Sequence, residues 1–350
     1  MNPYEELPLK CFWKTAVSEK SMFDISDIYE SKFDIQPDDK ISTYGSCFAQ
    51  YFGKALRFRG YDWLVTELPP TGLSENGCNL FNYNIFSSRT GNIYTASLLM
   101  QWVRWALGID NIPDEYWCRG KRFYDPFRPN IEPHGFCSLP ELLKSRDETI
   151  CAFKKSIQDS DYLVFTMGLT ERWVNASLSY EYPMCPGTLC GDFDKDAHCF
   201  NNLKFEEVRS SMVETMRLMR SCNPSLKFIL TVSPVPLTAT NTNQNVLVAS
   251  MESKSILRAV AGQLARNNDF VDYFPSYEII NSPVFKGVFF EPNLRTINPY
   301  GVSFVMDHFF SGLSTRLSDG ESKNEWSDFP SAYHDVCDEE ILASFADIKK

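Results

Sequence analysis

Apolar residues along this chain fall into two alternating patterns. Short, largely apolar runs occupy residues 161–167, 227–233 and 270–275, the length and character of strands buried on both faces. Residues 41–44 are short and rich in β-formers, as at a buried strand end. Residues 61–65 add a further short strand pattern. Between these runs apolar side chains recur every three or four residues, as on one face of a helix. Phe48, Tyr51, Phe52 and Leu56 do so after residues 41–44, and Leu98, Leu99, Trp102 and Val103 within residues 95–107. Val208, Met212, Met216 and Met219 do so within 205–222, closed by Asn223-Pro224, and Ile256, Val260 and Leu264 within 250–266. Ser138-Leu-Pro-Glu141 has the form of a capping box opening a helix to about Asp159, and Asn298-Pro299 opens a last helix through Phe310. Strands alternating with amphipathic helices predict a three-layer α/β/α sandwich around a mainly parallel sheet.

Five stretches break the pattern. Residues 1–39 show no clean period and read as an N-terminal arm before a domain spanning 40–317. Residues 66–93 are polar and rich in Asn and Ser, long enough for a connection to line a site. The segments 110–137 and 172–203 are aromatic and interrupted by Pro and Gly. They are expected to be irregular insertions forming rigid walls over the sheet. From Ser318 to 350 the tail is acidic, with Trp326, Phe329 and Tyr333 as places where it would pack.

The chemistry concentrates at Gly45-Ser46-Cys47. A strand, a glycine turn and a helix start place Ser46 and Cys47 where backbone N–H groups point outward. The positive end of the helix favours a thiolate or an oxyanion there. The plain structural alternative is a tight turn filled by two small residues. Right-handed crossovers bring the turns after parallel strands to one edge of the sheet. Gly45-Ser46-Cys47, Gly168-Leu169-Thr170-Glu171, Ser233-Pro234 and the loop near residue 293 should therefore meet at its carboxyl edge. His134, in a Gly/Pro loop, is the imidazole best placed to join them, its alternative being a surface loop histidine.

Composition narrows the function classes. Hydrophobic residues make up 43% and aromatics 14%, enough for a sizeable core. A net charge of −11 argues against nonspecific binding to nucleic acid or anionic membranes. No apolar run reaches membrane-spanning length, and residues 1–6 lack the basic start and apolar core of a signal peptide, so a cytoplasmic protein is expected. The 11 cysteines are odd in number and irregular in spacing, which does not suggest a disulfide framework. Cys185, Cys190, His198 and Cys199 match no common zinc spacing, and neither a metal nor a cofactor is expected. The absence of Gly-x-Gly-x-x-Gly and Walker-type loops weighs against a nucleotide-binding enzyme.

Gly45-Ser46-Cys47-Phe48-Ala49 resembles the word that names the GSCFA family, a branch of the SGNH/GDSL hydrolase-like superfamily. Residues 91–95, 165–171, 231–237, 253–255 and 273–278 support the resemblance in the family's order. It implies an SGNH-hydrolase or flavodoxin-like sandwich and acyl-ester chemistry, as an esterase or acyltransferase on a carbohydrate or small-molecule ester. The superfamily's attacking residue is third in its word, which here is Cys47, with Ser46 the neighbour one step away. Gly168 opens the equivalent of the superfamily's Gly-x-Asn-Asp block, with Thr170 in the place of the oxyanion-binding Asn and Glu171 in that of the Asp. Gly91 and Asn92 are further oxyanion candidates. The usual Asp-x-x-His word is replaced by Asn293-Leu294-Arg295-Thr296, leaving Asn293 and Arg295 as substrate-binding candidates. Neither Asn293 nor Thr296 takes a proton near neutral pH, so the base falls to His134 or Glu171, while His308 is expected to pack on its helix. The alternative is a catalytically degenerate fold acting as a ligand-binding or carbohydrate-synthesis accessory module.

Overall fold

The computed structural model describes residues 2–177, 179–314 and 338–347. They divide into two units, one of residues 36–273 with 338–347 and one of residues 2–35 with 274–314.

The larger unit opens with β1 (Ile41–Gly45), α1 (Ala49–Phe58), a short α2 (Glu75–Leu80) and α3 (Ala96–Ala106). A hairpin, β2 (Trp117–Arg119) and β3 (Arg122–Tyr124), precedes α4 (Leu139–Asp159) and β4 (Tyr162–Met167). Three further strands follow, β5 (Glu171–Asn175), β6 (Tyr180–Tyr182) and β7 (His198–Asn202). Then come α5 (Phe205–Cys222), β8 (Lys227–Val232), α6 (Val246–Asn267) and β9 (Val271–Phe274).

The central sheet is parallel in the order β1-β4-β8-β9, flanked by helices as a three-layer α/β/α sandwich. Every residue of β1 and β4 is buried, which is why both read as unbroken apolar or small-residue runs. The strand expected at 61–65 is reduced to a single bridge between Trp63 and Ile41, with Trp63 Nε1 donating to Thr43 Oγ1 at 2.9 Å. Helix starts follow the caps. The Thr95 hydroxyl accepts from Leu98 N, and Ser138 accepts from Glu141 N while Glu141 accepts from Cys137 N. The helix α6 begins earlier than its apolar stripe, because Asn245 caps it through Leu247 N at 2.9 Å.

Both insertions are more regular than expected. Of the prolines of the first, Pro113 precedes the β2–β3 hairpin and Pro126, Pro129 and Pro133 follow it, so its ladder is intact. The second folds into a three-stranded antiparallel sheet in the order β6-β5-β7.

In the smaller unit, residues 2–35 of the arm expected at residues 1–39 supply short 3-10 and π turns, and the chain after Phe274 supplies α7 (Ser276–Asn281) and α8 (Pro299–Ser314). Ser31 N donates to Gly312 O at 3.1 Å, and Tyr29 stacks on Phe309. Most of the acidic tail, including Trp326, Phe329 and Tyr333, lies outside the described residues. Its described part, 338–347, begins on two buried acids, Asp338 and Glu339. No helix among the described residues is long and apolar enough to cross a membrane.

Candidate functional site

The carboxyl edge of the central sheet is drawn together around Gly45. Its φ of +139° is open to glycine, and a Cβ there would stand 2.3 Å from Thr166 O. Ser46 N then donates to Thr166 O at 3.1 Å, and Ala49 N and Gln50 N bond Ser46 O and Cys47 O as the chain winds into α1. The segment carrying Gly91 and Asn92 runs along the same edge: Ile93 N donates to Gly45 O, and Tyr94 O accepts from both Gly168 N and Leu169 N. Gly168 must be small, since a Cβ would lie 3.0 Å from Tyr94 O and 3.1 Å from Ser46 Cβ. Ser233 N bonds Met167 O at 2.9 Å, bringing in the turn after β8. From α6, the buried Lys254 donates to Gly168 O at 2.6 Å, and Ser253 Oγ accepts from Thr170 N at 3.0 Å. The turns after β1, β4 and β8 therefore meet, with Gly91-Asn92 among them.

Within this edge Ser46 is 2% exposed and Cys47 5% exposed. The Ser46 hydroxyl has no hydrogen-bond partner among the described residues, and neither does that of Thr166, which pairs with Gly45 in the β1–β4 register. Buried hydroxyls without a protein partner are uncommon, and a water or a bound group can supply the bond; Thr215 and Thr238 share the feature. Asn92 is held on one side by Gln50 Nε2, which donates to its Oδ1 at 3.2 Å, and on the other donates its own Nδ2 to Asp338 Oδ2 at 2.7 Å.

The remaining candidates are distributed more widely. The Thr170 hydroxyl hydrogen, expected to face an oxyanion, is given to Asn202 Oδ1 at 2.6 Å. Glu171 faces a cavity, where burial raises its pKa against hydrogen bonds from the Thr240 hydroxyl and Asn241 N. His134 is exposed and lines neither of the cavities described below. Asn293 and Arg295 belong to the smaller unit, where Asn293 Oδ1 accepts from Arg295 N and Thr296 N in a local turn. His308, in the same unit, has its ring nitrogens against Phe304 O and Ile25 O, in keeping with a packed helix histidine.

The cavity has a volume of about 500 Å³. Tyr94, Thr95 and Leu169 form its sheet-edge wall, and the second insertion contributes Trp173, Tyr182 and Phe193. Glu181 is buried in the wall between the Thr95 and Ser97 hydroxyls, with Arg172 Nη1 at 3.4 Å, and burial raises its pKa. Glu339, Leu342 and Phe345 of the C-terminal segment complete the lining. A second hollow of only about 20 Å³ is walled by Gln50, Gly91, Asn92, Asn130 and Asp338. Residues of both insertions thus reach the cavities at this edge. Asp338, Asn130, Glu181 and Lys254 were missed as site residues. For Lys254 a signal existed in the Ser253-Lys254-Ser255 word; for Asp338, 246 positions from Asn92, there was none.

Among the described residues no group of His, Cys, Asp and Glu could hold a metal ion. Compared with known families, residues 40–309 match the GSCFA family, and the chain belongs to it. No curated protein and no solved structure matches.

Proposed function

We propose that this GSCFA-family chain performs acyl-ester chemistry, as a hydrolase or acyltransferase, on a small-molecule or carbohydrate ester. The observation that carries the reading is the Ser46 hydroxyl, buried and unpartnered at a strand–turn–helix junction, with the loops of the sheet's carboxyl edge closed around it. Ser46 or the adjacent Cys47 attacks the ester carbonyl; its proton passes to a base, and the alcohol leaves with a proton as the acyl-enzyme forms. Water or an acceptor hydroxyl then releases the acyl group. Backbone N–H groups at the start of α1 are the donors for the tetrahedral oxyanion. Glu171, lining the cavity with its pKa raised, suits the base better than the exposed His134. Trp173, Tyr182 and Phe193 offer flat apolar surface for a sugar. No disulfide joins the cysteines among the described residues, which suits a reducing cytoplasm as the setting.

A second reading is a binding module on an SGNH-like scaffold, favoured by the burial of both Ser46 and Cys47. Incubation with a fluorophosphonate and with iodoacetamide near neutral pH, followed by peptide mass mapping, separates the two. The enzyme reading expects an adduct on Ser46 or a Cys47 alkylated faster than the exposed Cys137 and Cys222. If neither residue is modified, the binding module is the better account.

A further inference from the structure

Asp338 is a carboxylate held, among the described residues, by neutral groups alone. Its Oδ2 accepts from Asn92 Nδ2 at 2.7 Å and its Oδ1 from Asn130 Nδ2. Among the described residues no basic side chain acts on it. The donors are placed by bonds that do not involve residues 338–347. Gln50 holds Asn92, and Ile93 N anchors the same segment to Gly45 O. Asn82 Nδ2 donates to Asn130 O at 2.9 Å, and Ile131 N bonds Arg128 O, with Arg128 itself paired to Asp125. The domain thus builds a cradle matched to both oxygens of a carboxylate, and a segment distant in sequence brings the group that fills it. Immediately beyond, Glu339, Leu342 and Phe345 form part of the wall of the 500 Å³ cavity.

We propose that Asn92 and Asn130 form a binding subsite for the carboxylate of a small monocarboxylate ligand, and that Asp338 occupies it as a built-in surrogate. A ligand that takes the subsite displaces Asp338 and loosens the 338–347 segment from the cavity wall. An amide of the same shape fails to do so, because its NH2 would face one of the donor amides.

The test uses n-butyrate and its neutral isostere n-butyramide with the full chain. By calorimetric titration, Asp338→Ala is expected to bind butyrate at least about tenfold tighter than the wild type, since the internal competitor is gone. Butyramide should show no such gain, and adding Asn130→Ala should abolish the gain for butyrate. Equal butyrate affinities in wild type and Asp338→Ala, or an equal gain for the amide, would overturn the proposal. Should Asp338→Ala fail to fold, chymotryptic cleavage within 338–347 of the wild type decides. Butyrate but not butyramide should speed it severalfold, and an unchanged rate counts against the subsite. Both measurements read binding alone, and Ser46→Ala should leave them unaltered, so this inference and the acyl-ester reading stand or fall separately.

Discussion

Asp125 and Asp338 are both buried carboxylates of the larger unit, and their surroundings differ in kind. Asp125 lies between two guanidiniums, Arg128 Nε at 2.8 Å and Arg146 Nη2 at 3.0 Å, and also accepts from Phe127 N. Burial alone would push its pKa up, but the Arg128 and Arg146 charges hold it below the ordinary carboxylate range. Arg146 continues to Pro113 O and Glu115 O, so this cluster welds the first insertion onto α4. Asp338 meets two amides and, among the described residues, no cation, and burial raises its pKa. A buried charge matched by opposite charges is permanent structure, since removing either side strands the other. A carboxylate held by neutral donors can be exchanged for another at small cost. Glu181 stands between them, with two hydroxyl donors and one distant guanidinium.

If cation number sets how firmly each carboxylate is built in, replacing them should give a graded series. Asp125→Asn leaves Arg128 and Arg146 buried without compensation and should cost roughly 3–5 kcal/mol in urea unfolding. A loss no greater than that of the other two variants would break the comparison. Glu181→Gln keeps the shape but faces one hydroxyl with the wrong polarity, and should cost about 1–2 kcal/mol by the same assay. The signs with pH sharpen the contrast. The advantage of wild type over Asp125→Asn is full above the unfolded carboxyl pKa of about 3.9 and shrinks as pH falls through the lower folded value. Glu181 has a raised pKa, so its contribution is full below the unfolded value of about 4.3 and lost as pH rises through the folded one. Urea midpoints between acidic and neutral pH should therefore show Glu181→Gln closing on wild type as pH rises while Asp125→Asn falls behind. Asp338→Ala should have the smallest effect, about 1 kcal/mol, because its donors border a cavity where water can replace the carboxylate.

The same division explains what could be read from the chain beforehand. The strands β1, β4 and β8 and the helices α3, α4 and α5 were visible with nearly their final limits, because caps and apolar periods are local signals. The β5–β7 sheet was not visible. Its strands are short and largely half-buried, so Trp173 or Phe200 shows no alternation with its neighbours strong enough to stand out. At the site, the Gly45 turn and its convergence with Gly168 followed from the parallel topology. The commitment of the Thr170 hydroxyl to Asn202 depends on a partner in the unrecognised sheet. Asp338 had looked like one more charge in an acidic tail, and only tertiary structure supplies Asn92 and Asn130 as its partners.

The pairing of β1 with β4 also sets a clock. Lys40 N meets the Asp161 carboxylate across 121 positions at the start of this ladder, and Ser46 meets Gly168 at its end. Joining two parallel strands so far apart must overcome the entropy of closing a very long loop before any contact rewards it. The Ser46 turn is therefore expected to acquire its neighbours late in folding, after local helices such as α4. A reactive probe aimed at Ser46 or Cys47 during refolding would report the slowest phase of the whole unit, and helical circular dichroism would run ahead of it.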